Sequence, residues 1–304
     1  MEPLEPAYLS LLHSGELEKR AASAHAGLAE CRQCAWACRA NRLAGKTGAC
    51  KTGLLAEVSS YGAHPGEERP ISGSGGSGTV FFARCNLRCQ YCQNAEISQL
   101  QPGEPMSPEA LAGIFLELQA QGCHNINLVS PSHVVTQILA AVLIAARQGL
   151  NLPLVYNTGG YDSLDALHLL DGVIDIYMPD MKYSSAAIAK YYSKIPNYPQ
   201  VNQAAVREMY RQVGDLMLDE HGLARRGLLI RHLVLPGDLA GSAEILHFIA
   251  ADISPDTYLN LMDQYHPAFN ARLYPRLRRP VSQAEYRSVV ELAQKTGLKR
   301  FHTD

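Results

Sequence analysis

Seven of the chain's eight cysteines fall in two clusters within residues 31 to 92. Thiolates at short spacings suit iron-sulfur clusters or zinc, and a 304-residue chain able to build a large core has no need of structural disulfides. The downstream cluster, Cys85-Asn86-Leu87-Arg88-Cys89-Gln90-Tyr91-Cys92, has the spacing C-x3-C-x2-C. Three thiolates on one loop can hold three irons of a cubane and leave the fourth iron open to a bidentate ligand. Zinc is the alternative, but its structural sites normally take four ligands. The upstream cluster offers four: Cys31, Cys34, Cys38 and, after the glycine-bearing turn Gly45-Lys46-Thr47-Gly48, Cys50. Four thiolates close a site, and both a second 4Fe-4S cluster and tetrahedral zinc accept that set. Cys123 stands apart beside Gly122 and reads as a small core residue.

These loops need a scaffold. Six short apolar or β-branched runs, Thr79 to Ala83, Asn125 to Val129, Pro153 to Asn157, Val173 to Tyr177, Leu228 to Leu235 and Thr257 to Met262, alternate with helical patterns. Ser107 and Pro108 signal the first of these helices. Others are predicted over 133–148, 163–170, 184–218 with a break near Pro196 and Pro199, 241–251 and, as a terminal helix, 282–296. The pattern predicts an α/β fold: a partial, TIM-like (β/α)6 barrel with its site at the carboxyl ends of the strands, preceded by a small cysteine-rich metal-binding domain. The expected boundaries are 1–62 for the N-terminal unit, 63–280 for the barrel and 281–304 for the C-terminal helix. The glycine run from Gly73 to Gly78 lacks the Gly-Lys-Ser/Thr ending of a phosphate loop and is read as a tight turn into the first barrel strand. The preceding segment, with His64, Glu67 and Glu68, is read as a solvated loop, the alternative being that these side chains reach the barrel mouth.

The cysteine loop directly after the first strand, with Tyr91 at the aromatic position of C-x3-C-x-aromatic-C, resembles the radical S-adenosylmethionine (SAM) superfamily, and residues 62–280 are similar to pyruvate formate-lyase-activating enzymes. The resemblance implies a 4Fe-4S cluster on Cys85, Cys89 and Cys92, and SAM held through its amino and carboxylate groups. Tyr91 would then contact the adenine. Asn157, in Asn157-Thr158-Gly159-Gly160-Tyr161, would contact the ribose and amino-acid part. Asp180 and Lys182, in Met178-Pro179-Asp180-Met181-Lys182, match an Asp-x-Lys motif, and Arg231 matches an arginine near the cofactor. From the residues alone, Asp180 and Lys182 could equally be a structural ion pair and Asn157 turn chemistry. Many members carry Gly-Gly-Glu after the second strand to hold the SAM amino group; here Ser130-Pro131-Ser132 stands there, so Ser130 and Ser132 are the candidate acceptors.

The implied activity is reductive cleavage of SAM to a 5′-deoxyadenosyl radical, with activation of a glycyl radical enzyme as the leading purpose. Radical modification of another protein, a peptide or a small molecule is the second, and a non-catalytic metal-binding module the third. A flavodoxin- or ferredoxin-type electron donor is the implied partner. The net charge of -2 gives no bulk attraction to nucleic acid, no apolar run is long enough to span a bilayer, and Met1 to Ser10, with Glu2 and Glu5, lacks the basic start and apolar core of a signal peptide. A cytoplasmic enzyme without nucleic-acid or membrane partners is expected. Metal analysis of anaerobically purified protein should find more iron than one 4Fe-4S cluster supplies. Stoichiometric zinc with a single cluster would defeat the reading of the upstream cysteines as a second cluster.

Overall fold

Seven parallel strands form the barrel wall of the computed structural model, which describes residues 5–303 of the chain. Met1 to Leu4, including the acidic start at Glu2, and Asp304 lie outside the described residues. The strands are β1 (Ala56–His64), β2 (Ser77–Phe82), β3 (Glu104–Met106), β4 (Ile126–Val129), β5 (Leu154–Thr158), β6 (Ile176–Pro179), β7 (Met217–Leu218), β8 (Ala224–Leu233), β9 (Tyr258–Met262) and β10 (Arg300–Thr303). Their order across the sheet is β10-β9-β8-β6-β5-β4-β2-β1-β3, with β7 paired to β8. The parallel stretch runs from β2 to β10, while β1 and β3 add an antiparallel flap beside β2.

The partial barrel is thus as expected, and all six predicted strands are present within a few residues. The seventh, β10, was not anticipated: the helix over Gln283–Lys295, expected to end the fold, delivers the chain back to pair with β9. That helix starts sharply because Ser282 and Glu285 form a reciprocal capping box.

The helices are α1 (Tyr8–His13), α2 (Glu16–Ala26), α3 (Arg69–Ser72), α4 (Pro108–Ala120), α5 (Val135–Arg147), α6 (Leu164–Leu170), α7 (Ala186–Ser193), α8 (Tyr198–Val213), α9 (Ser242–Phe248) and α10 (Gln283–Lys295). The break predicted within 184–218 falls between α7 and α8, where Pro199 occupies the first turn of the second helix. Tyr8, Leu17, Ala21 and Ala24 of the first two helices share one core with α5 rather than burying a separate one. The boundary expected near residue 62 falls inside β1.

Side chains alternate along each strand. Leu154, Tyr156, Tyr177, Leu228, Ile230 and Leu259 face the helices in the main core. Val155, Ile176, Met178 and Leu229 face the other way and pack with Ile71 of α3, which closes the amino-terminal end of the barrel. The same alternation puts Asn127, Asn157, Arg231 and Asn260 on this inner face, a polar layer above the apolar floor.

The glycine run makes the expected turn, with Gly73 and Gly76 at positive φ (49° and 78°). Gly78 has a packing role: a Cβ there would lie 2.6 Å from the Asn125 carbonyl oxygen and 3.2 Å from the Cβ of Cys123. Because the nearest atom is backbone, Gly78→Ala should cost about 1–3 kcal/mol through overpacking. A thermal melt followed by circular dichroism should show a midpoint several degrees lower, and an unchanged midpoint would contradict the tight β2–β4 approach.

Candidate functional site

The three-cysteine loop leaves the carboxyl end of β2 and is tied down from three sides. The end of α7 takes the middle of the loop: Arg88 N–H donates to the Ser193 carbonyl (3.1 Å) and Gln90 N–H to that of Tyr192 (2.8 Å). Asn86 donates its amide to the Tyr161 carbonyl (2.7 Å), and the Asn86 carbonyl accepts the Trp36 indole N–H (2.7 Å). The three thiols share one apolar lining with Leu87 and Tyr91. Each thiol has a polar neighbour: Ser193 Oγ donates to Cys89 Sγ (3.0 Å), Leu87 N–H points at Cys85 Sγ (3.4 Å), and Ser98 Oγ lies 3.3 Å from Cys92 Sγ.

Burial pushes the Cys85 thiol up to about 12 and the Cys89 thiol up to about 11, with Lys182 pulling against the rise in both. Thiols held this deep ionise readily only beside added positive charge, which an iron-sulfur cluster supplies. Tyr91 is buried edge-on between Tyr183 and Tyr265, with ring centroids 6.4 and 5.8 Å away.

Below the cysteines, the ends of β5, β6 and β8 meet in a charged ladder. Asp180 accepts from Lys182 Nζ (2.6 Å) and Arg231 Nε (2.9 Å), and the same guanidinium donates to Asn157 Oδ1 (2.6 Å). Burial alone would raise the Asp180 carboxyl, but the Arg231 and Lys182 cations outweigh it and hold it below the usual carboxylate range.

Two α8 residues that the sequence reading passed over fix this ladder. Tyr198 Oη sits 2.8 Å from the Gly159 carbonyl and 2.9 Å from that of Asp180, and accepts the Lys182 N–H at 3.2 Å. Asn202 Nδ2 donates to the carbonyls of Gly160 (3.1 Å) and Asp180 (3.0 Å). The two glycines are required by these approaches: a Cβ on Gly159 would strike Leu87 of the cysteine loop, and one on Gly160 would strike Asn202.

Ser130 and Ser132 divide. Ser132 is committed to a buried chain in which its hydroxyl lies 2.9 Å from Thr158 Oγ1, which in turn donates to Asp162. Ser130, at φ 60°, lies in the left-handed region unusual for serine, and its backbone N–H donates to the Asn157 carbonyl.

The upstream cysteines Cys31, Cys34, Cys38 and Cys50 line one small cavity with Trp36 and Arg42. Gly48 lets the chain pass against the Cys38 thiol, where any side chain would collide. Arg42 was not anticipated. Its guanidinium is buried, donates to the carbonyls of Gly53 (2.7 Å) and His133 (2.8 Å), and lies 3.8 Å from Cys31 Sγ. No Arg42–carboxylate pair occurs among the described residues, so the buried cation is met by two backbone carbonyls and the Cys31 sulfur. The two cysteine sets are neighbours: besides the Trp36–Asn86 bond, Arg88 donates to the Ala49 carbonyl (2.7 Å). In neither set are three or more His, Cys, Asp or Glu side chains, among the described residues, drawn together around a single metal ion.

The family model of the radical SAM superfamily matches residues 79–249, which include the cysteine loop and all of the charged ladder. The chain belongs to the radical SAM superfamily. Membership brings a 4Fe-4S cluster and SAM binding. The chain is 30% identical over 243 residues to an uncharacterised protein of Methanocaldococcus jannaschii, an alignment covering 77% of this chain and 66% of that protein, so it spans just under two thirds of that relative's length. Among solved structures, a radical SAM methyltransferase from Sphaerobacter thermophilus is similar at a TM-score of 0.47 and 13% identity, over 74% of this chain and 65% of that one. A domain of a pyruvate-formate lyase-activating enzyme from Bacteroides vulgatus is similar at 0.36 and 11%, over 65% and 91%. No helix among the described residues is long and apolar enough to cross a membrane.

Tyr198→Phe removes the hydroxyl that joins the loops after β5 and β6, taking this partner from the Lys182 N–H and the Gly159 carbonyl while Asn202 still serves the Asp180 carbonyl. It should cost about 1–3 kcal/mol of stability and weaken SAM binding, read by denaturation and by equilibrium dialysis of labelled SAM. Wild-type values for both would remove Tyr198 as the element that sets the ladder.

Proposed function

We propose that Cys85, Cys89 and Cys92 hold the 4Fe-4S cluster, that Asn157, Asp180, Lys182, Arg231 and Tyr91 form the SAM site, and that the radical made there activates a glycyl radical enzyme. The observation that carries the cofactor assignment is that Cys85, Cys89 and Cys92 share one apolar lining on the loop after β2, with Lys182 of the ladder acting on the Cys85 and Cys89 thiols. When bound, the cluster supplies the electron that cleaves SAM to methionine and a 5′-deoxyadenosyl radical able to take a hydrogen atom from the substrate. The chain's own residues bind and orient. Arg231 and Lys182 offer cations to a carboxylate, Asn157 an amide to hydroxyls, and Tyr91 an aromatic face to the adenine. Ser130, at the end of β4, is the remaining hydroxyl for the amino group, because Ser132 is already engaged with Thr158. The hydroxyl of Ser193 on Cys89 Sγ favours the reduced, more negative cluster. The apolar lining and the ring of tyrosines around Tyr91 exclude water from the reacting region.

The glycyl-radical reading is supported by the Asp180-x-Lys182 pair and Arg231, the segments in which the chain resembles activating enzymes. In the N-terminal part, Cys31, Cys34, Cys38 and Cys50 are proposed to hold a second 4Fe-4S cluster. Arg42 supports an anionic four-thiolate centre there, which zinc would also give, and the Trp36–Asn86 contact with the radical loop favours a redox role. The electron donor would be of flavodoxin or ferredoxin type.

Reduced, cluster-replete protein should convert SAM to 5′-deoxyadenosine, and Cys89→Ala should abolish the product. Incubation with a candidate glycyl radical enzyme should give the doublet of a protein-based glycyl radical in electron paramagnetic resonance. The nucleoside without that signal in any such partner would leave the radical chemistry standing and move the substrate to another protein, a peptide or a small molecule.

A further inference from the structure

The segment between β1 and β2 does not lie in solvent, as the sequence reading had it. It crosses the open side of the barrel and directs two carboxylates at the inner polar layer. The side chain of Glu68 is 7% exposed and that of Glu67 11%. Glu68 Oε1 accepts from Asn260 Nδ2 (3.1 Å) on β9 and lies 3.8 Å from Arg231. Glu67 is 3.5 Å from His64 Nδ1 and stands against Asn127 of β4. Both glutamates, with Arg231, Asn260 and Met262, line a cleft between this segment and β9, and Arg69 is exposed at its mouth.

Two properties of the layer are out of balance. The first is hydrogen bonding: among the described residues Glu68 Oε2, Asn260 Oδ1 and both amide atoms of Asn127 are buried without a partner of good geometry, although Asn127 and Asn260 are 0% and 4% exposed. Three of these four atoms are acceptors, and native structures rarely leave such groups unpaired without a functional reason. The second is charge. Asp180 already has Lys182 and Arg231, so Arg231 is shared among three carboxylates, with His64 beside Glu67 and the exposed Arg69 in the cleft lining as the neighbouring basic groups. Burial raises the Glu67 carboxyl, with Arg231 the largest influence opposing that rise.

We infer that Glu67, Glu68, Asn127 and Asn260 form a substrate subsite that takes a cationic hydrogen-bond donor, the ammonium or guanidinium of a lysine or arginine in the peptide segment presented to the radical. The inference rests on the proposed radical chemistry, whose cofactor residues Asn157 and Arg231 belong to this same layer, and it names what the substrate must carry. A cation bound in the cleft gives Glu68 Oε2 and Asn260 Oδ1 the donor they lack and adds a partner for the carboxylates that share Arg231. A neutral side chain of equal length leaves those acceptors desolvated and unpaired.

The test uses the cluster-replete protein with SAM and no reductant, so that binding is read without turnover. N-acetyl-lysinamide and N-acetyl-argininamide are compared with N-acetyl-norleucinamide by saturation-transfer nuclear magnetic resonance with competition. At least one cationic probe should bind about tenfold or more tightly than the neutral one, the size of one charge-assisted hydrogen bond. Glu68→Gln and Glu67→Gln should each shrink that preference, whereas Glu109→Gln, at the exposed start of α4, should not. Equal affinity of all three probes for the wild type overturns the inference, and so does a preference that survives both inner substitutions. The wild-type comparison decides alone if either inner variant fails to fold. Formation of 5′-deoxyadenosine by reduced wild-type protein is measured separately; its absence would overturn the radical reading, while its presence with no cationic preference would overturn this subsite only.

Discussion

One carboxylate organises the carboxyl end of the barrel. Asp180, at the end of β6, takes Lys182 from its own loop and Arg231 from β8, and through Arg231 it reaches Asn157 on β5. Three strand ends are thereby set in one register of charge. A buried carboxylate is costly unless paired, and a buried guanidinium equally so, which makes the arrangement a unit: removing any member strands the others in low dielectric. The backbone beneath is fixed as firmly, since Tyr198 and Asn202 satisfy the carbonyls of Gly159, Gly160 and Asp180 from a single helix. The residues proposed to bind SAM are therefore held before any ligand arrives, the condition under which binding energy goes into orientation rather than ordering.

The same accounting of buried charge applies to both cysteine sets. Lys182 acts on the downstream thiols as well as on Asp180, so the ladder and the proposed cluster site are electrostatically one region. In the upstream set the buried Arg42 lies 3.8 Å from Cys31 Sγ and has no carboxylate partner among the described residues, whereas Lys182 is paired with Asp180. Trp36 and Arg88 then join the two loops by hydrogen bonds to backbone carbonyls. In the inner layer around Glu67 and Glu68 the accounting does not close: Arg231 is shared among three carboxylates, and buried acceptors of Glu68, Asn127 and Asn260 stay without a partner among the described residues.

Much of the fold is visible in the residues because barrel strands are buried on both faces and read as short apolar runs between helical patterns. What escaped has a physical cause in each case. Strand β10 is only four residues long and its sequence, Arg300-Phe301-His302-Thr303, carries no apolar run, so pairing to β9 alone makes it a strand. The glutamates of the β1–β2 segment carry the composition of a solvated loop, and only their position across the barrel opening buries them. Tyr198, Asn202 and Ser193 act through single hydrogen bonds to distant backbone or sulfur, a role that leaves no local signature.

From residue order alone come the expected thiolate chemistry and the scaffold class, because thiolate spacing and the period of apolar residues are local properties set by a loop's length and a strand's pleat. The tertiary structure alone decided which polar side chains share a space. It separated Ser132, spent on Thr158, from Ser130, turned Asp180 and Lys182 from a motif into a three-strand ladder, and brought Glu67 and Glu68 under Arg231. Those outcomes depend on contacts between residues far apart in the chain, such as the 192 positions between Glu68 and Asn260, and long-range packing is what a linear pattern does not encode one residue at a time.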